Sequence, residues 1–333
     1  MNNLPLCTAK ASGKIILSGE HSVLYGQPAL AMAIERFATT TITSYPEKKI
    51  LFDLNKLNYR ESWELSQLQL LQQQIQNRYT DFLAGCCDIN DVLIHPWDLV
   101  LYAFAYFIEK FALTKLPGIM IKVESNILVG YGMGSSAAVI VGLLLVLSEF
   151  FSVSFTDVEC VSLGREIEKM QHGQSSGLDL YLALHGGCVL WQNGVIEERP
   201  LPTLPIFLVD TGKPENSTGA CVMQAAAHLR DSLLLNDFAV VTKALDEALL
   251  AQNLANAQDA VRENQRLLER IGTVPLKVQA FVKEIEGRGL AAKICGAGAV
   301  SGDKGGVAMV LGEKDNIIDL IQKYKFKIIV NYE

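Results

Sequence analysis

Gly130-Tyr131-Gly132-Met133-Gly134-Ser135-Ser136-Ala137-Ala138 is the stretch from which the fold can be read. Three alternating glycines are followed by two serines, two alanines and an apolar run over 139–147. Glycine, lacking Cβ, takes positive φ and lets the backbone approach another group closely. The serines stand where a helix begins, so its unpaired N–H groups and its dipole face back over the glycines and attract anions. The pattern predicts a phosphate cradle leading into a buried helix. It is not the dinucleotide fingerprint, whose third glycine slot holds Ser135, nor a P-loop, which needs a lysine before the serine. A tight turn without a ligand is a competing reading of this stretch alone. A membrane span is another, since residues 127–148 carry no charge. The glycines and serines in the first third of that run, and its weakly charged N-terminal flank, argue against it.

The chain has 333 residues, enough for two domains or one large domain with insertions. With 50% hydrophobic and 20% charged residues it can bury a substantial core and is not disordered. A net charge of −7 argues against a nucleic-acid surface. Residues 1–14, MNNLPLCTAKASGK, lack the apolar region of a signal peptide. Seven cysteines, an odd number with no C-x-x-C spacing, read as reduced thiols of a cytoplasmic protein and not as a disulfide frame or zinc site.

Strands are expected over 14–17, 29–34 and 39–43. The polar, Gln-rich segment 47–90 reads as an excursion with one helix. An amphipathic helix is expected over 91–113, with Pro96 near its first turn. A strand over 118–123 then delivers the chain to the glycine loop. The loop's helix should end near Phe151, and a second helix over 157–171 should stop at Gly173. A strand follows over 188–191. Three prolines within 199–205 mark a domain boundary, giving residues 1–199 and 200–333. Beyond it come a strand over 206–210, a long helical region over 216–282, a strand over 290–295, a glycine-rich segment over 296–306, a strand over 307–311, a helix over 314–324 and a strand over 327–330. This β-α-β-β-α-β order predicts a ferredoxin-like α+β layer.

Phosphoryl transfer is mostly positioning and charge neutralisation, so a cradle needs a metal ligand, a base and a cation beside it. Magnesium takes hard oxygen ligands, and one hydroxyl and one carboxylate suffice next to a nucleotide's phosphates. Ser136 and Glu168 are candidates. Asp179, 11 residues after Glu168 and beyond a glycine break, is a candidate general base. Lys14, at the start of a buried strand, is a candidate for neutralising charge. Each also has a structural reading: Glu168 with Lys169 as an exposed pair, Asp179 as a helix cap, Lys14 as an edge charge.

Together the segments KIILSGEHSVLYG at 14–26, GYGMGSSAA at 130–138 and KICGAG at 293–298 resemble the three ordered motifs of the GHMP kinases. The first of these, and EKMQHGQSSGLD at 168–179 followed by Gly186-Gly187, are most similar to the mevalonate kinase branch. The resemblance runs through nearly the whole chain. It implies a two-domain α+β fold, with an N-terminal nucleotide-binding domain like ribosomal protein S5 domain 2 and a C-terminal ferredoxin-like domain. It also implies ATP- and Mg2+-dependent phosphorylation of the primary hydroxyl of mevalonate. Asp179 would be the catalytic carboxylate, and Lys14 would pair with it and stabilise the transferring group. Gly130, Gly132, Met133, Gly134, Ser135 and Ser136 would cradle the phosphates, and Ser136 and Glu168 would hold the metal. Lys14, Glu20, His21, Asp179 and Thr218 would border the acceptor.

The chain departs from the family pattern in places. Proline is usual where Ser12, Leu128 and Ser175 stand, so three turns should lose a fixed φ. The third motif, GAGAVSGDKGG, is lengthened and carries Asp303-Lys304, and Gly219 replaces a common basic residue. The expected partner is a small molecule, with neither nucleic acid nor membrane; a homodimer is compatible with the reading. Alternatives are a GHMP kinase acting on phosphomevalonate or a sugar, and a catalytically silent sensor of the same fold. A sensor should have lost one of Lys14, Glu168 and Asp179, and all three are present.

Overall fold

The computed structural model describes residues 6–230 and 232–332. The first five residues of the segment read against a signal peptide lie outside the described residues. In chain order the elements are β1 (Cys7–Ser18), β2 (Ala29–Ser44), β3 (Ile50–Leu54), β4 (Tyr59–Trp63), α1 (Leu65–Leu83), α2 (Asp98–Lys110) and β5 (Ile119–Ser125). Next come α3 (Ser135–Phe151), α4 (Asp157–His172), α5 (Leu178–His185), β6 (Cys188–Gln192), β7 (Val195–Arg199) and β8 (Ile206–Asp210). The chain ends with α6 (Thr218–Leu229), α7 (Ser232–Leu250), α8 (Leu254–Arg270), α9 (Leu276–Glu286), β9 (Ala291–Cys295), β10 (Val307–Leu311), α10 (Ile318–Tyr324) and β11 (Lys327–Tyr332). The fold is α+β and forms two compact units. One comprises Met1–Gly13, Ile34–Ile127 and Gly134–Gly186; the other comprises Lys14–Ala33, Leu128–Met133 and Gly187–Glu333.

In the first unit the strand order is β4-β3-β5-β2, with β3 and β5 parallel and the other pairs antiparallel. The charge-free run after the glycine loop becomes α3, whose Ala137, Ala138, Ile140, Val141, Leu143 and Leu144 are fully buried. It is a core helix packed against α2, α4 and α5. Among the described residues no helix is long and apolar enough to cross a membrane. α4 opens on a capping box, in which Thr156 accepts from the N–H of Glu159 and the Glu159 carboxylate accepts from that of Thr156. Gly164 on α4 leaves room for Leu180 on α5, since a Cβ there would come within 2.8 Å of the leucine side chain.

In the second unit β8, β9, β10 and β11 form an antiparallel sheet in the order β11-β8-β10-β9. That is the ferredoxin-like arrangement which the β-α-β-β-α-β order anticipates. Its core includes Phe207, Phe238, Phe281, Ile294 and Val310. Arg199 on β7 grips Asp246 on α7 through two hydrogen bonds of 2.8 and 3.0 Å.

Several sequence expectations are revised. Segments 29–34 and 39–43 are one strand, because Asn126 accepts from Phe37 N–H at 2.7 Å and from Arg36 at 2.8 Å, holding the link extended. The 47–90 excursion contains the β3–β4 hairpin as well as its helix. The helix expected from residue 91 starts at Asp98. The Asp98 carboxylate turns back to accept the N–H groups of Ile94 and His95, both at 3.0 Å, and so closes a loop around Pro96. The helical region 216–282 is four helices, interrupted where Gln252 and Gly272 take positive φ. β7 is additional, joined to β6 by Asn193-Gly194 with both φ positive, a hairpin-turn pair.

Gly118 precedes β5, the strand that leads to the glycine loop. Its carbonyl accepts the N–H of Tyr45 at 2.8 Å, and a Cβ there would overlap the carbonyl oxygens of Tyr45 and Glu47. Gly118→Ala is therefore expected to lower the melting temperature by several degrees, at roughly 2–4 °C per kcal/mol. Gly287→Ala, whose methyl would meet only ordinary contacts at 3.5 Å and beyond, should leave it unchanged; differential scanning calorimetry of the two variants checks this.

Candidate functional site

The site residues of the second unit gather around β1 and the glycine loop. Lys14 lies in the apolar end of β1 and is 4% exposed. Its N–H donates to the Met133 carbonyl at 3.0 Å, and its Nζ donates to the Gly132 carbonyl at 3.2 Å. Gly130 and Gly132 have φ of 82° and 76°, which only glycine adopts at little cost. A Cβ on Gly132 would stand 2.9 Å from the Cys295 carbonyl oxygen, and one on Gly296 would stand 2.9 Å from Gly132 Cα. The glycine loop and the third motif thus pack backbone on backbone.

The lengthened third motif is fastened to the segment after β8. Asn216 Oδ1 accepts from Ser301 N–H at 3.0 Å and from its hydroxyl at 3.2 Å. The Thr211 hydroxyl donates to Gly306 O at 2.9 Å and accepts Gly305 N–H at 3.1 Å. The stem of Lys304 lies over Gly212. At the start of α6 the Ser217 hydroxyl accepts Ala220 N–H at 3.2 Å, so Ser217 caps the helix, and Thr218 is exposed beside it.

Glu20 and Lys293 are both 0% exposed and form an ion pair. Lys293 also donates to Ile16 O at 3.4 Å. Burial pushes the Glu20 carboxyl above the usual carboxylate range, while Lys293, and more weakly Lys14, pull it back. His21 sits at φ 60° with its Nε2 3.1 Å from the Ala297 carbonyl, to which that nitrogen donates. Burial drives its pKa down to about 4, with the Ala297 bond opposing and Lys293 reinforcing the shift. The imidazole is neutral at pH 7, offering hydrogen bonds and no charge.

In the first unit Ser135 and Ser136 open α3 behind Gly134, which has φ 71° and provides no side-chain cap. The first N–H groups of α3 are thus oriented for an anion. Glu168 lies in the last turn but one of α4, 5% exposed, and accepts the Ser175 hydroxyl at 2.5 Å. Asp179 is the second residue of α5, just after Gly177 at φ 90°. The packing of α3 against α4 and α5 places Ser136, Glu168 and Asp179 on three adjacent helices. Among the described residues no group of three or more His, Cys, Asp or Glu could hold a metal by itself. One buried carboxylate and one hydroxyl fit an Mg2+ that arrives coordinated by a nucleotide, which needs few protein ligands.

Two residues with no role in the sequence reading stand out. Lys293 pairs with Glu20, and its signal was a single charge inside the apolar strand AAKIC. Ser175, noted only as a missing proline, binds Glu168; nothing in the sequence pattern signals that contact.

Residues 98–187 match the GHMP kinases N terminal domain. The mevalonate kinase of Archaeoglobus fulgidus is 30% identical over 297 residues, covering 87% of this chain and 88% of that one. That of Thermococcus sibiricus is 26% identical over 302 residues, covering 87% and 86%. Among solved structures, the mevalonate kinase of Methanococcus jannaschii superposes with a TM-score of 0.77 at 23% identity, over 97% of this chain and 96% of that one.

The neutral, buried His21 makes a pH prediction. Its pKa falls from 6.5 to about 4 on folding, so between those values the unfolded chain takes a proton that the folded state refuses. Stability from this group is constant above pH 6.5 and is lost as pH falls towards 4. The raised Glu20 carboxyl acts in the opposite sense, so the difference between variants carries the test. In His21→Asn, which tolerates positive φ, the fall in melting temperature between pH 7 and pH 4.5 should be smaller than in the wild type.

Proposed function

This chain belongs to the GHMP kinase family, and we propose that within it the protein phosphorylates the primary hydroxyl of mevalonate, giving 5-phosphomevalonate. It is a phosphotransferase acting on an alcohol group of a small molecule, and GHMP kinases use ATP. The observation that carries the substrate reading is the similarity over most of the chain to proteins named mevalonate kinase, at 30% identity in the case of Archaeoglobus fulgidus.

In this reading Asp179 receives the hydroxyl proton of the acceptor as the phosphoryl group arrives. Lys14 neutralises charge on the attacking oxygen and the group in flight. The α3 N-terminus and the loop residues Gly130, Gly132, Met133, Gly134, Ser135 and Ser136 hold the phosphates. Ser136 and Glu168 would hold Mg2+, which when bound offsets the negative charge of the β- and γ-phosphates. Glu20, His21 and Thr218 border the acceptor, with His21 supplying a hydrogen bond from a neutral ring. Residues 1–199 would form the nucleotide-binding domain and 200–333 the second domain. A homodimer and a cytoplasmic location belong to the same proposal.

Coupled measurement of ADP release with mevalonate, phosphomevalonate, galactose and homoserine tests the assignment. Turnover should be confined to mevalonate; turnover of another acceptor without mevalonate would sink the substrate reading. Asp179→Asn should reduce kcat by about 10²–10⁴-fold with nucleotide affinity retained.

A further inference from the structure

The hydroxyl of Ser175, in the loop between α4 and α5, is used twice. It donates to Glu168 Oε2 at 2.5 Å, and its oxygen accepts the N–H of Gly177 at 3.2 Å. Arg165 on α4 holds the Ser175 carbonyl through Nε at 3.2 Å, and the Ser176 hydroxyl accepts Leu178 N–H at 3.2 Å. The loop is therefore fastened to α4 on one side and to the first turn of α5 on the other. A hydrogen bond to a carboxylate is about twice as strong as one between neutral groups. Because Glu168 is 5% exposed, water competes little for that bond.

We propose that Ser175 is a positioning residue for the kinase reaction: its hydroxyl sets the orientation of the Glu168 carboxylate towards the metal–nucleotide and couples it to the turn from which α5 carries Asp179. The proposal rests on the reading of Glu168 as a metal ligand. Carboxylates that bind metals are commonly oriented by a hydrogen bond from a neighbouring group, and removing that group weakens metal binding by about 10–100-fold. Here the Ser175 hydroxyl contributes to that task and also ties down the backbone leading to the base. A second serine acts on the same helix, since Ser12 donates to Leu182 O, in the last turn of α5, at 2.8 Å.

The test uses the full-length protein with Mn2+ as the metal, its binding to the enzyme–ADP complex followed by electron paramagnetic resonance. ADP affinity without metal is measured by calorimetry in chelator. Ser175→Ala should weaken Mn2+ binding about tenfold or more, with metal-free ADP affinity changed less than about twofold, and Ser175→Thr, which keeps the hydroxyl, should restore it. Wild-type Mn2+ affinity in Ser175→Ala would overturn the proposal. So would an equal loss of metal-free ADP binding, which would mean general loosening of the loop, or a Ser175→Thr protein as weak as the alanine variant. Glu168→Gln separates the two levels. If it leaves Mn2+ affinity unchanged, the metal reading of Glu168 falls, and this proposal with it. If it weakens binding while Ser175→Ala does not, only the role of Ser175 falls.

Discussion

The contact on which the second unit's candidate machinery depends is that between Gly132 and Gly296, where two backbones meet with no room for a methyl group. Each glycine has positive φ, so the requirement is doubled: no side chain fits, and no other residue adopts the conformation cheaply. The contact fixes the loop carbonyl of Gly132, which accepts the Lys14 ammonium, and the neighbouring Met133 carbonyl, which accepts the Lys14 N–H. One close approach thus sets the position of a cation relative to the loop proposed to hold phosphates. Preorganisation of this kind lets charge be stabilised without reorganisation during reaction.

The buried Glu20–Lys293 pair joins the turn after β1 to β9 with different physics. Removing two charges from water costs several kcal/mol each, and their attraction returns this only when the geometry is good. Such a pair adds little net stability over well-packed apolar residues, but losing one partner strands the other. It therefore acts as a strong constraint on alignment: β1 and its following turn are held against β9, and His21, next to Glu20, is directed to Ala297. The positive φ of His21 is a strain carried by a non-glycine residue, and the burial and hydrogen bond around it are what maintain it.

Much of this was legible in the sequence because it rests on local rules. Alternating glycines before a charge-free run specify a turn and a buried helix, and Gly173 marks where α4 ends. Two of the misplaced boundaries come from side chains that bond to backbone. Asp98 reads as an ordinary residue in the middle of an amphipathic pattern, yet its carboxylate captures Ile94 and His95 and delays the helix start. Asn126 acts over a long sequence distance, its side chain taking the N–H of Phe37 in the middle of β2. Periodicity records burial and is blind to such bonds. Pairings between distant residues are less legible still: the lysine of AAKIC is visible as an anomaly, but its partner 273 positions away is not.

The serines that stand in place of prolines show how a departure from a family pattern is to be weighed. Losing proline suggests looser turns, because φ is no longer fixed by a ring. Ser12, however, lies within β1, where the ladder already restrains φ, and its hydroxyl bonds to the end of α5. Ser175 does lie in a turn, where Arg165 holds its backbone carbonyl and its hydroxyl joins Glu168 to the Gly177 N–H. A ring can limit only its own residue and the one before it, whereas a hydroxyl can join two elements. At these two positions a hydrogen bond supplies a constraint where the family pattern would expect a fixed torsion angle, and the bonds bear on the helix that carries Asp179 and the turn leading into it.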